Sequence, residues 1–133
     1  MAIHGKCLCG DVRYEIDGAF RGAGNCYCSM CRRAHGAAFG TWADFDPDKF
    51  RWVSGEDLVS VYESSPGMGW YFCRVCGSSL AAINDGKLDA VTLGTVEGDP
   101  GVRPSSHIFV ASRAPWVEIM DTLPQFDEWP PDV

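Results

Sequence analysis

The chain has 133 residues, 46% of them hydrophobic and 12% aromatic, enough for one core and for a single domain over residues 1–133. Its formal net charge of -7 excludes counterion-driven binding to nucleic acid and attraction to anionic membranes. No apolar run approaches the ~20 residues of a membrane helix, the opening MAIHGKCLCG carries no apolar signal core, and many free thiols suit a reducing cytoplasm.

The first feature along the chain is Cys7-Leu-Cys9-Gly10, a close thiol pair followed by glycine. Directly after it, Val12, Tyr14 and Ile16 alternate with polar residues, which predicts a strand. Cys26, Cys28 and Cys31 then fall within six residues, so one loop can wrap a single ion with three thiolates. The stretch 30–38 has room for at most a short helical turn. Strands are predicted at 39–43, 50–53, 58–62, 70–73, 80–83, 88–93 and 107–110. Asn84-Asp85-Gly86 sits between two of them and reads as a hairpin turn. Cys73-Arg-Val-Cys76-Gly77 forms a second glycine-followed pair, with Gly77 free to take a positive φ. The proline-bounded tail 124–131 reads as irregular chain lying against the body. The expected class is all-β, with metal sites carried on loops.

Seven cysteines in three groups invite three bland explanations. A disulfide framework suits an even count in a secreted chain. A redox C-x-x-C belongs beside a strand–helix–strand unit, whereas Cys73 and Cys76 lie among strands. Buried apolar cysteines need no ligand spacing. Metal binding accounts for the pattern better. Counted as ligands, the thiols make four plus three, and a structural zinc takes four protein ligands whereas a catalytic zinc takes three and keeps a position open. The economical partition gives Cys7, Cys9, Cys73 and Cys76 to a closed, structural site. It leaves Cys26, Cys28 and Cys31 one ligand short. His35, four residues after Cys31, is the rival for that open position; otherwise it lies outside the ligand set. His107 reads as a hydrogen-bonded strand residue and His4 as a solvated one.

These residues resemble the glutathione-dependent formaldehyde-activating enzyme family, also called the centromere protein V family. The matching elements are Gly5-Lys-Cys-Leu-Cys-Gly-Asp-Val-Arg-Tyr14, Cys26-Tyr-Cys-Ser-Met-Cys-Arg-Arg33 and Gly36-Ala-Ala-Phe39. They continue with Phe72-Cys-Arg-Val-Cys-Gly77, Leu80, His107-Ile-Phe-Val110, Ala114-Pro-Trp116 and Leu123-Pro124. The resemblance implies a β-tent fold of packed antiparallel sheets. It implies a structural zinc on Cys7, Cys9, Cys73 and Cys76, and a labile, catalytic zinc on Cys26, Cys28 and Cys31. It also implies a carbon–sulfur lyase-type activity that joins glutathione and formaldehyde into S-hydroxymethylglutathione.

Three thiolates on Zn2+ leave a net charge of about -1, a weak Lewis acid better suited to activating a fourth thiolate than to polarising a carbonyl. Glutathione is anionic, and so is this chain, so a glutathione site needs local positive charge. Arg32 and Arg33 follow Cys31 directly and are the candidates to bind a carboxylate. Arg74 is expected to pack on its own loop, and Phe39, Trp42 and Trp70 are available to wall a pocket. The alternatives to an enzyme are a non-catalytic, zinc-stabilised binding module and a labile-zinc redox sensor.

Overall fold

The computed structural model describes residues 2–131. Their strands form two sheets. The smaller contains β1 (Ala2–Lys6), β2 (Arg13–Asp17) and β5 (Phe50–Ser54), in that order and all antiparallel. The larger contains β3 (Gly22–Cys26), β4 (Gly40–Asp44), β6 (Val59–Ser65), β7 (Met68–Cys73), β8 (Ser79–Asn84), β9 (Lys87–Thr92) and β10 (His107–Ile108). Its strand order is β10-β3-β4-β9-β8-β7-β6, antiparallel except for the β10–β3 pair. This is the expected all-β class. One helix, α1 (Ser29–His35), interrupts it.

The core lies between the sheets. The predicted alternation places Val12, Tyr14 and Ile16 inward from the small sheet, all essentially buried. They meet Phe45, Leu80 and Val91 from the large one. Cys7 and Cys73 belong to the same cluster, so two of the thiols are core residues as well as candidate ligands. The predicted hairpin joins β8 to β9. Asp85 and Gly86 both take positive φ, +52° and +76°, which is the geometry of a type I′ turn.

Two strands escaped the pattern reading, for physical reasons. β3 is Gly-Ala-Gly-Asn-Cys, a composition with poor strand propensity. It is a strand because β10 and β4 hold it on either side, and the crowding that holds it demands small residues. A side chain on Gly24 would come within 3.3 Å of the Ser106 carbonyl oxygen. β1 contains Gly5, which faces Tyr14 across the β1–β2 ladder with the tyrosine ring lying over its bare Cα. Gly5→Ala is therefore expected to push the ring away and break the 2.8 Å bond between the Tyr14 and Thr95 hydroxyls. The loss should be about 2–4 kcal/mol, or a fall of roughly 10 °C in Tm. A thermal melt of the variant that overlays the parent's would show that the ring does not rest there.

The other departures are local. α1 runs for seven residues, longer than one turn but too short to show a periodicity. It starts at Cys28, whose sulfur accepts from the Cys31 N–H at 3.2 Å, and it ends at Gly36 in the left-handed region. β10 keeps only two of its four predicted residues, because the chain turns at Phe109 (φ +55°). The tail lies against β10 as expected: His107 N–H donates to Pro124 O, and Phe126 N–H donates back to His107 O, each at 2.9 Å.

Candidate metal centres

Cys7 stands at the end of β1 and Cys9 in the turn that follows; Cys73 ends β7 and Cys76 lies in the turn after it. The two turns are built alike. Gly10 N–H donates to Cys7 O at 3.1 Å and Gly77 N–H to Cys73 O at 2.7 Å, and both glycines are left-handed (φ +83° and +81°). Ser78 ties the turns together: its hydroxyl accepts from the Leu8 N–H at 2.9 Å and lies 3.3 Å from the Cys76 sulfur. Residues 64 apart in sequence thus bring four sulfurs within 4.8 Å of one another. The Cys7–Cys9 and Cys9–Cys73 separations are 3.5 and 3.9 Å. A tetrahedral ion bound at about 2.3 Å to each sulfur requires edges of about 3.8 Å. All seven cysteines are free thiols, so no pair is a disulfide.

The second cluster is Cys26 at the end of β3, Cys28 at the start of α1 and Cys31 within its first turn, again with mutual sulfur distances under 4.8 Å. Each cluster can hold a metal ion. In the second, the thiols compete for charge. Hydrogen bonds from Cys26 and then Cys31, with backbone N–H groups of Cys31 and Met30, pull the Cys28 thiol down to about 2. Cys26 is pushed far up, chiefly by its hydrogen bonds to Cys28 and Cys31 and then by burial. Cys31 gains a hydrogen bond from Cys26, but Cys28 and burial outweigh it and push the thiol up to about 11. One thiolate is thus easily held and three are not, unless a cation joins them.

The remaining predicted residues fall around this trio. His35 Nδ1 lies 2.8 Å from the Cys31 carbonyl oxygen, and its ring packs edge-on against Trp42 with centroids 5.5 Å apart. It is not grouped with the three sulfurs, so the trio has no fourth ligand among the described residues. Phe39 lines a shallow cavity of about 340 Å³ together with His35, Gly40 and Thr41. Trp70 lies elsewhere, against Tyr62. Arg32 is half-buried with Nε lacking a partner, Arg33 is exposed, and neither pairs with a carboxylate among the described residues. Arg74 is exposed, and its backbone N–H bonds Leu58 O.

His107 is buried and fully hydrogen-bonded, as expected of it. Tyr27 O–H lies 3.0 Å from its Nδ1, and Asp121 lies 2.9 Å from its Nε2. Tyr27 sits between two thiols of the trio, so this chain of bonds ties the back of the cysteine loop to the C-terminal segment. Sequence spacing could not pair residues 80 apart. His4 is mostly exposed, 3.5 Å from Glu15.

Comparison with known proteins bears on these clusters. A family model described as glutathione-dependent formaldehyde-activating enzyme matches residues 2–112. A Halomonas elongata protein named provisionally for the same activity is 29% identical over 130 residues, covering 90% of this chain and 82% of the relative. A crystal structure of a Rhodobacter sphaeroides protein superposes with a TM-score of 0.58 at 28% identity, over 72% of this chain and 89% of that one.

Proposed function

Because the chain belongs to the glutathione-dependent formaldehyde-activating enzyme family, we propose that it is a zinc-dependent carbon–sulfur lyase-type enzyme acting on a thiol–aldehyde adduct. The observation that carries this reading is the trio Cys26, Cys28 and Cys31: three sulfurs grouped for one ion, with no fourth ligand among the described residues. The four-thiol cluster is assigned a structural zinc, since its sulfur separations suit a closed tetrahedron. A zinc ion on the trio would supply a thiolate at neutral pH from an incoming thiol.

The chain's own residues do the rest. Cys26, Cys28 and Cys31 hold the site, and the Cys31 backbone N–H fixes the Cys28 sulfur by a hydrogen bond. Arg32 and Arg33, free of acidic partners among the described residues, are assigned to the carboxylates of a thiol such as glutathione. In the forward direction the sulfur–carbon bond forms as the carbonyl π bond opens, and the proton lost from the thiol ends on the carbonyl oxygen. The product is the hydroxymethyl thioether, and the reverse reaction splits it. Such chemistry suits a reducing compartment, and the cytoplasm is the proposed location. No helix among the described residues is long and apolar enough to cross a membrane.

Calorimetry with reduced glutathione on the zinc-loaded protein tests the reading, followed by formaldehyde consumption against the uncatalysed background. Binding at or below ~1 mM is expected, weakening with salt because Arg32 and Arg33 take part. No binding in that range and no rate above background would leave a binding module or a sensor instead.

A further inference from the structure

Next to the trio, one group of buried polar side chains takes no part in that chemistry. Tyr27 and His107 are both 2% exposed. The two oxygens of the Asp121 carboxylate lie 2.9 and 3.0 Å from His107 Nε2. A carboxylate only accepts, so Nε2–H donates to it. On the other side of the ring, Nδ1 lies 3.0 Å from the Tyr27 hydroxyl. The ring is thereby held at both nitrogens, between the cysteine loop and the C-terminal segment. Any buried histidine needs such partners. This one is set apart by where its partners lie: one stands between two thiols of the trio, and the other is a half-exposed carboxylate on the surface.

Tyr27 is the single residue between Cys26 and Cys28. Alternate residues of an extended chain face opposite ways, so with both sulfurs turned toward one ion, Tyr27 turns away from it. Its N–H donates to Ile108 O at 3.0 Å, and its ring packs on Phe39 with centroids 5.0 Å apart. Any rotation at Tyr27 moves the Cys28 sulfur relative to the Cys26 sulfur, and the trio needs both within 4.8 Å of Cys31. The support continues outward. β10 is two residues long, and its far edge is bonded to the tail, where His107 N–H meets Pro124 O and Phe126 N–H meets His107 O. Asp121 Oδ1 also accepts from the Leu123 N–H at 2.9 Å, so one carboxylate fixes both the His107 ring and the entry to that tail.

We propose that His107 and Asp121 are positioning residues for the trio: acting through Tyr27, they hold the Cys26 and Cys28 sulfurs at the spacing that one zinc ion requires. This rests on the trio's holding zinc, as read above, and not on which thiol or aldehyde the site takes. Groups that orient metal ligands from behind change metal affinity by about 10–100-fold when they are removed. Here the support passes through Tyr27, so the lower end of that range is expected. Among the described residues, none of the three side chains bonds a thiol of the four-thiol cluster, so the zinc there should not respond.

The test is chelator competition on the zinc-loaded protein, with no thiol or aldehyde present, which gives the affinity of each ion. Asp121→Ala removes the acceptor at the surface end and should weaken the trio's zinc about tenfold, with the four-thiol ion unchanged. Asp121→Asn keeps an oxygen that both His107 and Leu123 can use, and should restore most of the affinity. Tyr27→Phe takes away one hydroxyl at the other end and should match Asp121→Ala. The double variant should be no weaker than either single one, because both break the same chain of bonds. Asp99→Ala, which removes an exposed carboxylate paired with Arg103, should change neither ion. Cobalt(II) in place of zinc gives a second readout: the sulfur-to-metal absorption of the trio should shift in Asp121→Ala and return in Asp121→Asn. Parent-like affinity in Asp121→Ala, an equal loss in Asp121→Asn, weakening of both ions together, or additive losses in the double variant would each overturn the assignment. A parent that binds zinc at the four-thiol cluster alone would overturn the zinc reading of the trio and this assignment with it. If the trio binds zinc as described and no thiol follows, the lyase reading falls and the assignment stands.

Discussion

Cys73→Ser is expected to unfold most of the molecule at room temperature. The sulfur is completely buried and belongs to the core cluster shared by both sheets. With Cys76 it faces Cys7 and Cys9 from the start of the chain, so an ion on these four would close a loop of 64 residues. By the chain-entropy measure used for covalent cross-links, a closure of that length is worth roughly 4 kcal/mol. Serine also leaves a poorly ligating hydroxyl in an apolar setting, and structural zinc binding is coupled to folding. The combined loss should exceed about 4 kcal/mol, against a total stability of about 5–15 kcal/mol for a domain of this kind. Circular dichroism melts and zinc analysis check it. A variant with the parent's Tm and two zinc ions would show that the four thiols do not share a metal.

How far the sequence carried depends on what each feature needed. The partition of the thiols could be read because ligand counting is arithmetic: a pair must find a pair, and only Cys7 with Cys9 and Cys73 with Cys76 remained once the trio was set aside. The left-handed glycine at position 77 followed from the turn that its pair requires. β2 could be read because one of its faces is buried, and Val12, Tyr14 and Ile16 record that face. β3 could not, since the crowding that makes it a strand selects glycine and alanine, which carry no pattern. Around the site, His35 was visible only as a possible ligand, because four residues after Cys31 is a helical spacing. Its actual bond, to the Cys31 carbonyl, is also an i,i+4 contact, and sequence cannot tell a ring that faces the metal from one that faces the backbone. The Tyr27–His107–Asp121 chain joins segments far apart in sequence and depends on register alone.

Cys28→Ser should behave in the opposite way to Cys73→Ser: the fold should survive and the chemistry should vanish. None of the three thiols of the trio belongs to the main core cluster. Cys28 is half-buried, caps a seven-residue helix, and serine is itself a good cap. The Tm should therefore fall by no more than a few degrees, from a change of about 1 kcal/mol. The metal should not survive, because two thiols and water hold zinc far less tightly than three thiols. Zinc content is expected to drop from two ions per chain to one, thiol binding to disappear, and any catalysed rate to fall by at least about a hundredfold, the equivalent of a few kcal/mol of lost metal stabilisation. The same asymmetry should appear in the unmodified protein under a chelator. The trio, with one fewer ligand and no member in the main core cluster, should empty first, and its freed thiols, under 4.8 Å apart, should then oxidise readily to a disulfide. Zinc release followed by a thiophilic dye, alongside the thermal melt at each step, separates the two ions. The first should leave with activity and little change in Tm, the second with the fold. Simultaneous loss of both ions, or collapse of the fold before activity, would mean that the two clusters are not a scaffold site and a reactive one.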